Sequence, residues 1–156
     1  MIKAYFDGCC EPRNPGGTAA YGVHISKDGR LLYKKSEIVM MKNKKHTSNN
    51  VAEYAGFIEI LDYLKGNGLQ NEDIEIMGDS KLVICQMFGD TYRGGYGWKI
   101  KRGFYKPLAL CARALMNDFS NLKGRWIPRE QNSLADELSK AHLKKIGIVF
   151  KIQTDE

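Results

Sequence analysis

The sequence predicts an α/β domain whose elements run βββαβααβα, a five-stranded mixed sheet flanked by helices. Three observations carry this. The chain opens on an alternating strand pattern, "IKAYFDG". An Asp28-Gly29 pair joins two further strand patterns as a hairpin turn would. The later strand patterns alternate with helical ones, and a crossover of that kind makes the strands it joins parallel.

Taken in order, "IKAYFDG" is a strand expected to end at Asp7-Gly8 and to lie centrally in the sheet. The stretch "CCEPRNPGGT" is dense in turn residues and is expected to be a loop. "AAYGVHISKDGRLLYKKSEIV" is the hairpin, and after "MMKNKKHTSNN" a helix runs from about Asn50 to Leu64, stopping at the glycines of "KGNGL". "DIEIMGD" is a strand, with a helix starting at Asp79-Ser80 and running through "KLVICQMF". From about Phe104 to Phe119, Leu108, Cys111, Leu115 and Phe119 recur at helical spacing, as on a core-facing helix. "LKGRWIP" is a short strand closed by proline, and "REQNSLADELSKAHLKKIG" a final amphipathic helix. The domain is expected over 1–146, with 147–156 a tail that is either an added edge strand or a loose end.

A chain of 156 residues suffices for one domain burying roughly two-thirds of its unfolded surface. No apolar run approaches the roughly 18 residues of a membrane span, and the chain enters its first strand without an export pattern, so a cytosolic protein is expected. Cys9 and Cys10 are adjacent, Cys85 and Cys111 sit in apolar helical patterns, and none has zinc-ligand spacing; all four are expected to be buried or inert thiols. The net charge of +6 favours an anionic partner such as nucleic acid. Basic residues gather in "KNKKH" and in "YRGGYGWKIKRGFYK", where interleaved rings and cations suit a sugar-phosphate surface.

Four acids stand in unusual places. Glu53 shares its helix face with Phe57, Ile60 and Leu64, and a carboxylate buried there costs several kcal/mol or more unless something positive meets it. Asp7 and Asp79 close strands whose carboxyl ends are where open α/β sheets build sites, and Asp136 lies in the last helix. Ordinary duties exist for three of them: Asp7 as a turn starter, Asp79 as a helix N-cap, Asp136 in a capping box with Ser133. None exists for Glu53. Converging carboxylates repel one another, and a hard divalent cation such as Mg²⁺ resolves that repulsion with oxygen ligands. No Cys/His set competes for a softer metal.

The blocks "YFDGCCEPRNPGGTAAYG", "TSNNVAEYAG", "IMGDSKLV" and "PREQNSLADELSKAH" resemble, in order and spacing, the four acidic motifs of the ribonuclease H family, type 1, from Ile2 to about His142. The resemblance implies a ribonuclease H-like fold and endonucleolytic cleavage of the RNA strand of an RNA·DNA hybrid, leaving 3′-hydroxyl and 5′-phosphate ends, with the protein expected to be a monomer. It places Asp7, Glu53, Asp79 and Asp136 on the family's carboxylates, where two ions of Mg²⁺, or of Mn²⁺, about 4 Å apart would clamp the scissile phosphate, Asp7 bridging them. Cys9, Asn14, Ser48, Asn49 and Asn50 match positions suited to the ribose 2′-hydroxyl. Asn49 and Asn50 also suit helix capping, and Asn14 a plain turn.

Two departures follow from the same comparison of motifs. The interval "FGDTYRGGYGWKIKRG" is short where many members carry a basic protrusion, leaving Tyr92, Arg93, Trp98, Lys99 and Lys101 as a reduced binding surface. The loop "IPREQN" lacks the histidine many members place before the last aspartate; Arg129 is its nearest charged candidate, and His24, His46 and His142 lie elsewhere. The alternatives are another phosphoryl-transfer nuclease of the same fold, or a catalytically weak hybrid-binding module. The asparagine pair and "NPGG" favour the hybrid nuclease over the first, and the presence of all four acids favours it over the second.

Overall fold

The computed structural model describes residues 1–89 and 97–150. It contains β1 (Ile2–Glu11), β2 (Thr18–Lys27), β3 (Arg30–Val39), α1 (Asn49–Gly66), β4 (Ile74–Gly78), α2 (Lys81–Phe88), α3 (Lys106–Met116), β5 (Leu122–Trp126) and α4 (Ser133–Lys145). Short 3-10 turns at Lys44–His46 and Arg129–Gln131 precede α1 and α4. The expected order βββαβααβα holds. The sheet runs β3-β2-β1-β4-β5, with β1 central. The β1–β2 and β2–β3 pairs are antiparallel, whereas β1–β4 and β4–β5 are parallel.

Alternate residues serve the two faces of this sheet. Phe6, Val23 and Ile25 join Tyr54, Phe57, Ile60, Leu61 and Leu64 of α1 in the main core. Phe57 meets Phe6 edge-on at 5.6 Å between ring centroids, an arrangement worth about 1 kcal/mol beyond its buried area. Cys9 and Ala20, half a pleat away, pack instead with Leu143 of α4. Here α4 lies directly on β2: a Cβ built at Gly22 would stand 2.5 Å from the Ala135 carbonyl oxygen and 2.5 Å from Leu138 Cβ. Only glycine fits at that crossing.

Two expectations are corrected. The strand opening the chain does not end at Asp7, and Cys9–Glu11 are not loop, because β2 pairs with β1 as far as Glu11↔Thr18. What ends near Asp7 is the parallel pairing with β4, whose last pair is Tyr5↔Met77. On α3 the inward face is carried by buried Ala109 and Ala112, with Leu108 and Leu115 packed beside them; Cys111 is exposed. Alanine and cysteine are both small and apolar, so helical spacing alone could not choose between the two faces. Beyond α4, Ile148 and Phe150 pack against Cys9, Ala20 and Leu143 without forming a strand, and residues 151–156 of the expected tail lie outside the described residues. Among the described residues no helix is long and apolar enough to cross a membrane.

Candidate active site

Where β1 and β4 cease to pair, the chain places three acids. Asp7 lies two residues past Tyr5, the last β1 residue paired with β4, and Asp79 follows the last residue of β4. Glu53 arrives on α1, which crosses β1 so closely that a Cβ at Gly8 would lie 2.5 Å from the Glu53 amide nitrogen and 2.6 Å from the Ala52 carbonyl carbon. One carboxylate oxygen from each of Asp7, Glu53 and Asp79 lies within 4.8 Å of the others.

The ordinary duties of these acids fall to their neighbours. Ser80, not Asp79, caps α2, its hydroxyl accepting from the Val83 N–H at 3.2 Å. Ser48 caps α1 in the same way, accepting from Val51 N–H at 3.2 Å. Asn49 and Asn50 are therefore the first helical residues rather than caps. Ser133 makes no capping box with Asp136, because the N-cap position of α4 belongs to Asn132. Asn132 instead donates its side-chain amide to the Phe6 carbonyl at 2.9 Å and to Asp79 Oδ1 at 3.1 Å. The Asp79 carbonyl accepts from the Trp126 indole at 3.1 Å.

Burial, reinforced by the Asp79 charge, pushes the Asp7 carboxyl well above the usual carboxylate range. Glu53 is raised likewise, by burial first and then by Asp7 and Asp79. Among the described residues its Oε2 has no hydrogen-bond partner. A buried, incompletely satisfied acid cluster of this kind is destabilising by itself, and its donor set of carboxylate oxygens fits a hard divalent cation.

Asp136 adjoins Asp7 from the first turn of α4 but stands outside the three-carboxylate group. Its Oδ1 pairs with Lys140 Nζ at 3.3 Å and with Arg129 Nη2 at 3.6 Å. All four acids line one cleft of about 1010 Å³, together with Cys9, Asn14, Asn49, Asn50 and Arg129. The Cys9 thiol is committed to α4, donating to the Ser139 carbonyl at 3.3 Å, and burial pushes its pKa up to about 12. Asn14 does more than make a turn: its Oδ1 accepts from the Asn49 N–H at 2.9 Å, tying the β1–β2 loop to the start of α1.

The structure does not bring the remaining expected residues to this cleft. Ser48 is occupied as the α1 cap. Trp98 and Lys99 line a second groove of about 490 Å³ with Lys106 and Arg113, Lys101 is exposed nearby in sequence, and Tyr92 and Arg93 lie outside the described residues. Among the described residues, which include all three histidines, no histidine lines the main cleft. His24 lies on β2, edge-on to Tyr5; His46 stacks on Phe104 at 4.1 Å; the His142 N–H donates to Ser36 Oγ at 3.3 Å. Two site residues escaped the sequence: Lys140, signalled only by its i,i+4 spacing from Asp136, and Asn132, which before a helix reads as a cap.

A family model described as "Reverse transcriptase-like" matches residues 5–142. The bifunctional protein Rv2228c of Mycobacterium tuberculosis is 37% identical over 127 residues, 81% of this chain and 31% of that protein. Ribonuclease HI of Halobacterium salinarum is 30% identical over 138 residues, 88% of this chain and 62% of that protein. This chain thus spans about a third and under two-thirds of the two relatives' lengths. Among solved structures, LC11-RNase H1 in complex with an RNA/DNA hybrid, a protein isolated from compost by metagenomics, matches with a TM-score of 0.76 at 31% identity, covering 94% of this chain and 99% of that one.

Proposed function

Because the chain belongs to the ribonuclease H family, type 1, we propose that it hydrolyses the RNA strand of RNA·DNA hybrids, with Asp7, Glu53, Asp79 and Asp136 holding two divalent ions at the scissile phosphate. Mg²⁺ is the ion we expect to serve, with Mn²⁺ able to replace it. The observation that carries this is the Asp7–Glu53–Asp79 group, its first two acids buried and Asp79 half-buried, with one oxygen of each within 4.8 Å of the others, in a cleft shared with Asp136. Ions held by these carboxylates would supply charge stabilisation for the attacking and leaving oxygens of the phosphate.

The chain's own residues do the rest. Asp7 interacts with Glu53, Asp79 and Asp136, which supports the reading that it would contribute to holding both ions. Asn132 holds Asp79 to the β1 backbone through its two donated hydrogen bonds and so fixes the distance between Asp79 and Asp7. The Asn14–Asn49 tie presents Asn49 and Asn50 along the cleft, where short amides recognise a ribose 2′-hydroxyl without reading bases. Cleavage leaves 3′-hydroxyl and 5′-phosphate ends.

The test is incubation with labelled RNA·DNA hybrid, duplex DNA and duplex RNA, with Mg²⁺, with Mn²⁺ and with chelator. Only the RNA strand of the hybrid should be cut, and only with metal. Cleavage that survives chelation, or duplex DNA cut as readily as hybrid, would overturn the proposal.

A second expectation comes from the absence of histidine in the cleft. No imidazole titrating near its ordinary value of about 6.5 should control the rate. The alanine variants of His24, His46 and His142 should keep the parent's pH–rate profile. Arg129, paired with Asp136, cannot act as a base; Arg129→Ala should cost turnover about tenfold or less, the scale of one charge-assisted contact. A rate step near neutrality that vanishes only in His142→Ala would move the proton-transfer role onto α4 and contradict this.

A further inference from the structure

Gln86 is a buried polar residue near the end of α2 that the mechanism above does not use. Its side-chain amide joins three parts of the chain. Oε1 accepts from the Tyr54 hydroxyl on α1, one residue beyond Glu53. Nε2 donates to the Lys99 carbonyl at 3.0 Å and to the Tyr105 hydroxyl at 3.1 Å. The Gln86 backbone carbonyl in turn accepts from Arg113 Nη2 of α3 at 3.0 Å. Tyr54 and Tyr105 stack face to face, 5.7 Å between centroids and 3° from parallel.

What this network holds in place is the segment 97–105, which has neither helix nor strand of its own. Its backbone is tied down at Lys99 by Gln86 and at Trp98, whose N–H donates to the Cys85 carbonyl at 3.1 Å. An apolar side chain at 86 would fill the space but leave the Lys99 carbonyl and the Tyr54 hydroxyl without their partner. Leaving such groups unpaired in a buried site is costly. A fully paired amide there has a reason beyond packing: α1 carries Glu53, and α2 begins at Lys81, two residues after Asp79. The network therefore references the Trp98–Lys101 segment to α1, which carries Glu53, and to α2, which starts just past Asp79.

We propose that Gln86 is a positioning residue for substrate, holding the Trp98–Lys101 segment at a set distance from the carboxylate cleft so that Lys99 and Lys101 meet phosphates of the same hybrid. This rests on the proposed function, and specifically on that segment gripping the hybrid. A loosened segment would keep its charges but lose their placement, so binding weakens while the chemical step, once substrate is bound, changes little.

The experiment uses the full chain carrying Asp7→Asn, with Mg²⁺ and a fluorescein-labelled RNA·DNA hybrid read by anisotropy over a salt series. Gln86→Leu and Gln86→Glu are each expected to weaken binding about tenfold, the scale of one lost charge-assisted contact, and to flatten the salt dependence. The glutamate variant keeps an acceptor for Tyr54 while offering Lys99 no donor when ionised, so it decides the matter if the leucine variant does not fold. In the active enzyme the same changes should raise KM with kcat within about twofold of the parent. Lys99→Ala with Lys101→Ala should give a similar loss, and adding Gln86→Leu to that pair should add little, because residues acting through one another are not additive. If the lysine pair weakens binding while folded Gln86 variants do not, or if the losses simply add, the positioning role is overturned and the binding segment stands. If the lysine pair leaves affinity and salt slope unchanged, the segment does not grip the hybrid and both ideas fall.

Discussion

Asp7→Asn should abolish hybrid cleavage by at least about a thousandfold, roughly 4 kcal/mol of transition-state stabilisation, while making the metal-free protein more stable. The first effect follows from charge: asparagine keeps the shape of the side chain but withdraws the carboxylate that adjoins Glu53, Asp79 and Asp136 together. The second follows from linkage. Burial and then the Asp79 charge raise Asp7 in the folded state, so between the ordinary carboxylate range and that raised value the folded protein binds more protons than the unfolded chain. Stability of the apo protein therefore falls as pH rises through that window and is greatest below it. Glu53, raised for the same reasons, contributes in the same direction. Thermal melts at pH 5 and pH 8, with and without Mg²⁺, read all of this at once. The parent should melt lower at pH 8 without metal and recover with Mg²⁺, as any ligand of the folded state alone requires. Asp7→Asn should show a smaller pH dependence and a smaller response to Mg²⁺. Near-parental turnover, or an unchanged Mg²⁺ response in the melts, would remove Asp7 from the metal site.

How far this site could be read without the structure depended on the kind of signal each residue leaves. Glu53 was legible because an acid on the apolar face of a helix breaks a periodicity, and the residues around it, Phe57, Ile60 and Leu64, are indeed fully buried. Asp7 and Asp79 were legible from their places at strand ends, although the structure shows that what ends at Asp7 is a pairing rather than a strand. The supporting residues were not legible, since their partners are remote: Asn132 reaches the Phe6 carbonyl across 126 positions, and Gln86 reaches Lys99 across 13 with no helical or strand register between them. Cys111 was misplaced because a helical period marks an apolar stripe without saying which of two adjacent small residues faces inward. The second basic run was recognised by composition, but the hydrogen bonds that hold its Trp98 and Lys99 backbone come from Cys85 and the buried Gln86 amide, which composition does not reveal.

Gly22→Ala should be among the most damaging single-methyl additions to this protein. The added carbon would stand 2.5 Å from the Ala135 carbonyl oxygen and 2.5 Å from Leu138 Cβ, and it would also strike the Ser139 amide nitrogen. Two of these atoms are helix backbone, which cannot swing aside as a side chain can. Relief requires α4 to lift from β2. Overpacking of a well-filled contact typically costs 1–3 kcal/mol, and with backbone as the obstacle the upper end is expected, about 3 kcal/mol, which lowers Tm by roughly 6–12 °C in a domain of this size. The lifted helix carries Asp136, and its packing holds the Cys9 thiol through Ser139. Turnover should therefore fall as well, by more than the unfolded fraction accounts for, when measured below the transition. Gly66→Ala is the matched control: it lies at the end of α1, a Cβ there meets nothing within 4 Å, and alanine should stabilise by up to about 1 kcal/mol. If Gly22→Ala melted with the parent and cut hybrid at the parental rate, α4 would not rest on β2 as described, and the placement of Asp136 beside Asp7 would be wrong with it.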